Sequence, residues 1–236
     1  MEQEKSDQQN HQLGALFRKY GSDKDRNGYT ALYKSLFKNI RNHKDLVILE
    51  IGVGCIQAMG ASYAGYEGAS LRVWGDYFPN ARRVYGIDIS PDIQRIKFDD
   101  NNTKLSVHLC NSVDTESVNK FIQLVRQELL NQNEEFLNQN EELLNQNEPL
   151  FDIIIDDGSH LQEHQVQTLA HFYKYLKPNG YYIIEDIGGD MRNLGYSRCP
   201  LFHPPRVAIN SIIHNSDNYI VHDWSHDSAV LVITKD

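Results

Sequence analysis

The sequence predicts an α/β fold built on a mainly parallel sheet. Three short apolar segments rich in β-branched residues, at 46–51, 151–155 and 181–185, each run directly into polar residues or a glycine turn. They are apolar without alternation and are separated by helical patterns, which is typical of parallel strands buried on both faces. In open parallel sheets, ligands bind at the carboxyl ends of the strands. The residues that follow these three segments are therefore the first candidates for a functional site.

The composition narrows the class of protein. At 236 residues the chain is long enough for one α/β domain with a full core. Its formal net charge of −9 argues against a nucleic-acid or anionic-membrane partner. The three cysteines, Cys55, Cys110 and Cys199, are too few and too scattered for a disulfide framework or a CxxC metal site. A polar start and the lack of an apolar run of about 20 residues predict a cytoplasmic protein.

The elements of the amino-terminal half can be predicted in order. Helical spacing covers 11–40 and is interrupted by a polar turn at 21–28. After the first strand, the Gly-, Ala- and Tyr-rich stretch 55–68 predicts a long loop. A helix is expected from Ser70, whose hydroxyl would cap the first turn, to Phe78. Strands two and three are expected at 84–89 and 105–110.

The carboxyl-terminal half predicts a strand at 151–155, a helix over 161–176 and a strand at 181–185. The sequence from Lys177 to Gly180 predicts a turn between that helix and strand. Two late strands, at 219–222 and 229–234, are close enough in sequence to form an antiparallel hairpin. The preferred architecture is therefore a parallel sheet with an antiparallel edge.

One segment has a repeat of its own. The sequence at 128–134 recurs almost unchanged at 135–141 and 142–148, so apolar pairs return every seven residues. A helix with this pattern would carry one narrow apolar seam. Two interpretations stay open, namely a repeat expansion at a surface connection, and a lid or self-association element that would make the protein a homo-oligomer.

A glycine turn follows the first strand. Gly52 and Gly54 would bring the backbone close to an anionic or ribose-bearing ligand. Gln57 occupies the position of the third glycine of a dinucleotide fingerprint. Asp88 ends strand two, where a carboxylate can accept two hydrogen bonds from a ribose diol. It lies further along the chain than the roughly 20 residues expected in dinucleotide folds, and the predicted loop explains the excess. Ordinary strand–turn packing and a turn-capping role for Asp88 are the alternatives.

The ends of the later strands carry acidic residues. Asp157, Glu185 and Asp186 are hard oxygen ligands, and carboxylates crowded together would repel unless a pKa rises or a cation binds. Mg²⁺, or Mn²⁺, suits such a set because it favours a few carboxylates completed by water or substrate oxygens. His160, three residues after Asp157, is a candidate general base. The alternative is helix capping by Asp157 or Ser159 beside a merely polar His160.

A rival motif overlaps this segment. Residues 160–164 fit the zinc-protease pattern H-x-x-E-H. That pattern requires both His160 and His164 to lie within one helix and face the metal. Because His160 follows Asp-Gly-Ser at the predicted start of the helix, and no third ligand can be assigned, the zinc-protease interpretation is disfavoured.

Several motifs together resemble a known family. They are Gly21-Ser22-Asp23-Lys24, Ile48-Leu49-Glu50-Ile51-Gly52-Val53-Gly54, Gly68-Ala69-Ser70-Leu71-Arg72-Val73-Trp74, Tyr85-Gly86-Ile87-Asp88-Ile89, Asp156-Asp157-Gly158-Ser159-His160 and Ile184-Glu185-Asp186-Ile187. Over roughly 15–190 the chain resembles class I S-adenosylmethionine (SAM)-dependent methyltransferases, specifically the macrocin and mycinamicin type of metal-dependent sugar O-methyltransferases. The last two motifs, at their separation, are the specific part of the resemblance.

The resemblance implies a Rossmann-like class I methyltransferase fold. Its sheet would be mainly parallel and seven-stranded, with an antiparallel C-terminal edge and helices on both faces. An N-terminal helical cap would occupy 1–40, and the methyltransferase domain 41–236, with a helical insertion at about 128–149.

The resemblance also implies the residue roles. SAM would be the methyl donor, and its binding residues would be Glu50, Gly52, Gly54, Ser70, Asp88, Asn111, Ser112 and Asp156. The metal would be Mg²⁺ or Mn²⁺, bound by Asp157, Glu185 and Asp186. His160 would deprotonate a hydroxyl of a small-molecule acceptor, a sugar in this family.

Two departures from the family pattern affect these roles. Where such enzymes often have an acidic Asp-Gln pair near the adenine, this chain has Asn111-Ser112. The usual substrate-facing segment is replaced by 188–198, which with His203 and Arg206 should shape the acceptor pocket. Two other functions stay open: a NAD-dependent oxidoreductase that uses the glycine turn and Asp88, and a non-catalytic SAM- or nucleotide-binding module that acts through the heptad arm.

Overall fold

The computed structural model describes residues 12–54, 66–99, 103–131, 148–187, 212–213, 218–223 and 229–236. Most of the predicted 55–68 loop, most of the heptad repeat, the segment 188–198, and Cys55, Gln57, Cys199, His203 and Arg206 lie outside these residues. The chain divides into two compact units, Met1–Leu109 and Cys110–Asp236. The predicted division into a helical cap at 1–40 and a methyltransferase domain stays a prediction.

The first unit contains helices followed by three parallel strands within its described part. Its elements are α1 (residues 12–20), α2 (Tyr29–Phe37), β1 (Val47–Ile51), α3 (Ala69–Tyr77), β2 (Arg83–Asp88), a 3₁₀ turn (Pro91–Arg95) and β3 (Leu105–Leu109). The strand order is β3-β2-β1, with Val47 beside Arg83 and Val84 beside Leu105. All five residues of β1 are buried, including the charged Glu50, which interrupts its apolar run.

An aromatic cluster packs the first two helices against α3. The Trp74 ring lies edge-on to Phe17 of α1 and Tyr33 of α2, with centroids 5.5 and 5.0 Å apart. Phe37 and Phe78 complete the cluster. Each such pair contributes about 0.5–1.5 kcal/mol beyond its buried area. The position of α3 therefore depends on the amino-terminal helices.

The prediction that Ser70 caps the start of α3 was wrong. Gly68, at φ 64°, is the residue before the helix, and no side chain caps it. A left-handed conformation is far easier for glycine than for serine, so the chain turns into the helix at Gly68. Ser70 lies inside the first turn and is buried.

The second unit carries the remaining elements. They are α4 (Thr115–Asn131), β4 (Phe151–Asp156), α5 (Gln162–Phe172), a 3₁₀ turn (Tyr173–Tyr175), β5 (Leu176–Ile187), β6 (Asn218–Asp223) and β7 (Ala229–Thr234). Their strand order is β4-β5-β7-β6; β4 and β5 are parallel, and β7 is antiparallel to both neighbours. The predicted parallel sheet with antiparallel C-terminal strands is confirmed.

The predicted turn from Lys177 to Gly180 is instead part of β5. The chain kinks there, because Asn179 has φ 61° and the register with β4 shifts at Phe151/Ile153. The kink is nevertheless paired: Asn179 N donates to Lys235 O at 2.6 Å, and Lys235 N to Gly180 O at 3.2 Å. Neighbouring backbone thus makes a strand of a sequence that by itself is typical of a turn.

Only the first part of the heptad repeat is described. Residues 128–131 form the end of α4, and 132–147 lie outside the described residues. Glu148 is the first described residue after this gap, and its backbone oxygen accepts a hydrogen bond from the Arg126 guanidinium at 2.8 Å. The same guanidinium lies over the Tyr175 ring. Across the described ranges, no helix has the length and apolarity needed to cross a bilayer.

The free energy of unfolding should depend strongly on the aromatic cluster. Trp74→Ala should lower the free energy of unfolding by about 3–5 kcal/mol, because it leaves a cavity between three helices. Ile220→Ala removes an aliphatic side chain that is 61% exposed and should cost less than about 1 kcal/mol. Urea unfolding followed by circular dichroism measures both. Equal losses in the two variants would contradict a cluster centred on Trp74.

Candidate functional site

The glycine turn and Asp88 form one hydrogen-bonded unit. Gly52 and Gly54 have φ of 88° and 70°, which glycine adopts without strain. Gly54 N donates to Asp88 Oδ2 at 3.1 Å, and Ser90 N donates to Asp88 Oδ1 at 2.8 Å. Asp88 therefore has the turn-stabilising role considered as the alternative. Each carboxylate oxygen has a further lone pair, so a second role toward a ribose diol stays compatible with these bonds.

Gly86 makes room for this turn. It pairs with Glu50 across β1 and β2, and a Cβ at Gly86 would lie 2.5 Å from Val53 Cγ2 and 3.0 Å from Leu71 Cδ2. Real Cβ atoms do not approach so closely, so Gly86 allows the turn and α3 to pack on β2. Sequence reasoning missed this role, although a glycine inside a strand is itself a signal of close approach.

Glu50 is held in the interior beside a buried cation. The Lys24 ammonium lies 3.9 Å from Glu50 Oε1, and both side chains are buried. A buried carboxylate requires such compensation, because its desolvation costs several kcal/mol. Lys24 belongs to the turn at 21–28, whose motif formed part of the resemblance without a role for this lysine. Sequence reasoning therefore missed the partner of Glu50.

The segment after β3 is anchored within the second unit. Asn111 Oδ1 accepts a hydrogen bond from Val113 N at 3.3 Å, which forms a local turn. The side-chain nitrogen Nδ2 of Asn111 is then the group that can donate to a ligand. Ser112 Oγ bonds Thr168 Oγ1 at 3.0 Å, and the His171 ring donates through Nδ1 to Ser112 O at 2.9 Å. Helix α5 thus holds the position of Ser112, while Asn111 N donates to Ser117 Oγ of α4 at 2.9 Å. The contribution of His171 was not predicted.

Asp156 is a buried carboxyl group at the end of β4. It is 3% exposed, and burial is the main reason that its pKa rises to about 7, while the Gly158 N–H opposes the rise. The charges of Asp157 and His160 act in opposite directions on this pKa. Oδ1 accepts from Gly158 N, and Oδ2 has no hydrogen-bond partner among the described residues. An unsatisfied buried oxygen fits a site that a polar ligand group completes.

Three side chains of types that can bind a metal ion meet where β4 and β5 end. One ligand atom each of Asp157, His160 and Asp186 lies within 4.8 Å of the other two. His160 Nε2 is 3.7 Å from Asp157 Oδ1 and 3.5 Å from Asp186 Oδ2. Two carboxylates and an imidazole suit a divalent cation such as Mg²⁺ or Mn²⁺. Glu185, the other predicted ligand, is buried next to Asp186 and is not in this group of close ligand atoms.

The acidic surroundings act strongly on His160. Its contact with Asp157 is the main reason that its pKa rises to about 9; partial burial opposes the rise, and the charges of Asp186 and Glu185 add to it. The imidazole is therefore charged at neutral pH while these carboxylates are uncompensated. A cation between the carboxylates would offset their field, which a general base at position 160 requires.

The zinc-protease interpretation does not fit this geometry. Helix α5 begins at Gln162, so His160 precedes it. His164 Nδ1 lies 2.9 Å from Ser159 Oγ. The two histidines therefore do not form the pair on one helix that the H-x-x-E-H pattern requires.

Comparison with known proteins identifies the family of this chain. Residues 64–187, more than half of the chain, match the family model Methyltransf_24, described as a methyltransferase domain. The chain therefore belongs to this family of methyltransferase domains. The resemblance inferred from the sequence motifs is confirmed.

The curated relatives are more specific. The chain is 31% identical to the mycinamicin VI 2''-O-methyltransferase of Micromonospora griseorubida, over 67% of this chain and 31% of that protein. It is 28% identical to the 8-demethyl-8-(2-methoxy-alpha-L-rhamnosyl)-tetracenomycin-C 3'-O-methyltransferase of Streptomyces olivaceus, over 74% and 36%. The demethylmacrocin O-methyltransferase of Streptomyces fradiae is 27% identical, over 67% and 31%. The chain thus spans about a third of the length of these relatives.

A solved structure supports the fold. The MycE methyltransferase from the mycinamycin biosynthetic pathway, in complex with Mg, SAH and mycinamycin VI, superposes with a TM-score of 0.59 at 24% identity. The match covers 93% of this chain and 54% of that one. The Rossmann-like class I methyltransferase fold predicted from the sequence is confirmed.

The crowding at Gly86 gives a direct test of how the glycine turn is held. Gly86→Ala should lower the free energy of unfolding by about 1–3 kcal/mol, because its methyl group overlaps Val53. Val53→Ala in the same chain removes both Cγ atoms and should recover part of that loss. Urea unfolding of the two single variants and the double variant gives the coupling. Strictly additive losses would mean that the turn does not pack on Gly86 in this way.

Proposed function

We propose that this chain is a SAM-dependent, Mg²⁺-assisted O-methyltransferase domain that acts on a hydroxyl group of a sugar or sugar-containing small molecule. The observation that carries the proposal is the meeting of Asp157, His160 and Asp186 at the strand ends of a chain that belongs to a methyltransferase family. The names of two relatives, O-methyltransferases of a rhamnosyl-tetracenomycin and of mycinamicin VI, support the acceptor class.

The SAM-binding role is assigned to residues at the carboxyl ends of strands and at the start of α3. They are Glu50, Gly52, Gly54, Ser70, Asp88, Asn111, Ser112 and Asp156. The left-handed glycines hold an open backbone turn, and Asp88 is fixed by two backbone N–H groups with lone pairs to spare. SAM supplies a methyl group already activated on its sulfonium sulfur, so these residues need only bind and orient it.

The metal role is assigned to Asp157, Glu185 and Asp186. Asp157 and Asp186 come close in space, and the charge of Glu185 reaches the same place because it contributes to the raised pKa of His160. Carboxylates that would otherwise repel are well suited to hold Mg²⁺ or Mn²⁺. The ion, when bound, lowers the pKa of an acceptor hydroxyl group as a Lewis acid does.

His160 is assigned as the general base. Its side chain is 47% exposed, so an acceptor hydroxyl can approach the ring, and Asp157 and Asp186 both lie near the same nitrogen, Nε2. Proton removal by a positioned base typically contributes about 10²–10⁴ in rate. Orientation of the two reactants supplies much of the remaining acceleration. Membership of a methyltransferase family argues against the alternative of a NAD-dependent oxidoreductase.

The affinity of the chain for the methyl donor SAM tests the proposal first. Calorimetry should give micromolar binding of SAM, and Asp88→Ala should weaken it by about 10- to 100-fold, because hydrogen bonds to a charged group are lost. Asp88→Asn retains an acceptor for one backbone N–H and should lose less. Asp99→Ala, an exposed carboxylate, is the matched control. A folded protein that binds NAD and not SAM would end the methyltransferase proposal.

Single variants should distinguish the residues that bind the metal from the residue that acts as the base. Asp157→Asn and Asp186→Asn should each weaken Mn²⁺ binding, measured by electron paramagnetic resonance, by about tenfold or more. His160→Ala should bind Mn²⁺ within a few-fold of wild type while turnover of a rhamnosylated acceptor falls by about 10²–10⁴. Chelator should abolish turnover in every form. Full activity in His160→Ala or in excess chelator would falsify this mechanism, and lost Mn²⁺ binding in His160→Ala would make the histidine a ligand.

A further inference from the structure

Asp186 has an unusual backbone conformation. Its φ is 49°, in the left-handed region that residues other than glycine adopt only occasionally, aspartate among them. The antiparallel pairing of β5 with β7 also shifts register here, between Ile184 and Ile187. A strained conformation of this kind persists only when its surroundings hold it. The regular ladder is interrupted at this point, so another contact must contribute.

Gln165 of α5 provides such a contact. Its side chain is 2% exposed, and its Nε2 donates to the backbone oxygen of Glu185 at 3.0 Å. That oxygen belongs to the peptide plane that joins Glu185 to Asp186. Because φ of Asp186 is rotation relative to this plane, fixing the plane restrains the direction in which the Asp186 side chain leaves the strand.

The choice of glutamine itself supports this role. Gln165 Oε1 is buried without a hydrogen-bond partner among the described residues. A buried amide oxygen without a partner destabilises the fold, a loss that methionine or leucine of similar size would avoid. If this position served only for packing, methionine or leucine would be more stable there than glutamine. The donated hydrogen bond to Glu185 is what the glutamine adds.

We propose that Gln165 is a positioning residue of the metal site. By holding the Glu185–Asp186 peptide, it keeps Asp186 in the left-handed conformation that places its carboxylate 3.5 Å from His160 Nε2 and close to Asp157. This inference rests on the proposed function, in which Asp186 binds a divalent cation. Gln165 touches neither the cation nor the substrate and acts through the backbone.

The test is Gln165→Met, which removes the donor at nearly unchanged length and volume. If the left-handed conformation of Asp186 then falls to about a tenth of the population, the apparent Kd for Mn²⁺ rises about tenfold. The melting temperature should change little, because removal of the unsatisfied Oε1 offsets the loss of the hydrogen bond to the Glu185 oxygen. Gln167→Met makes the same replacement at an exposed position of the same helix and should change neither quantity. Gln165→Leu repeats the measurement should methionine disturb the packing.

A double variant separates positioning from general damage. Asp186→Asn already removes the charged ligand, so adding Gln165→Met should weaken Mn²⁺ binding by much less than it does in the wild type. Equal losses in both backgrounds would overturn the inference, as would wild-type affinity in Gln165→Met.

Backbone NMR makes the inference independent of metal binding. In the metal-free protein, chemical shifts of Asp186 and its neighbours should report a left-handed residue in the wild type and in Gln167→Met, and move away from it in Gln165→Met. Unchanged shifts in Gln165→Met overturn the positioning role. Failure of wild-type protein to bind Mn²⁺, with the expected shifts observed, would instead remove the metal part of the proposed function and leave the backbone role standing.

Discussion

Repulsion among carboxylates is the constraint on which the proposed metal site depends. Asp157 and Asp186 are brought together where β4 and β5 end, with Glu185 buried beside them. The contact with Asp157, and after it the charges of these carboxylates, raises the pKa of His160 to about 9, so the imidazole itself acts as a counter-charge. Such a cluster is poorly suited to stabilising a fold and well suited to binding a cation. Functional sites are where energetically costly arrangements of this kind are retained.

The conformation of the glycine turn in the first unit depends on steric constraints rather than on charge. Gly52 and Gly54 take conformations that side chains disfavour, and Gly86 leaves the volume into which Val53 packs. Asp88 then ties the turn to the end of β2 through a backbone hydrogen bond. Its stabilising role is compatible with the proposed ligand-binding role, because each carboxylate oxygen keeps a further lone pair. Lys24 adds the charge that allows Glu50 to be fully buried beneath this turn.

Sequence reasoning worked where a residue's environment is local or periodic. Unbroken apolar runs identified the strands, and the short spacing of the late strands identified their antiparallel hairpin. It failed at the start of α3, where the left-handed Gly68 makes the turn and Ser70 does not cap the helix. It also failed where tertiary contacts override local preference. The sequence around Asn179 is typical of a turn, yet hydrogen bonds to Lys235 hold it in β5. Long-range backbone pairing of this kind leaves no trace in local sequence.

The amino-acid sequence by itself determined the class of fold, the methyltransferase resemblance and the acidic residues at the strand ends, because parallel strands bring their carboxyl ends to one edge. Only the tertiary structure decided that Asp157, His160 and Asp186 form the close group while Glu185 lies outside it. That outcome depends on the left-handed backbone at Asp186 and on Gln165 of a different element. A side chain's direction follows its backbone dihedral angles, and here contacts distant in sequence set those angles.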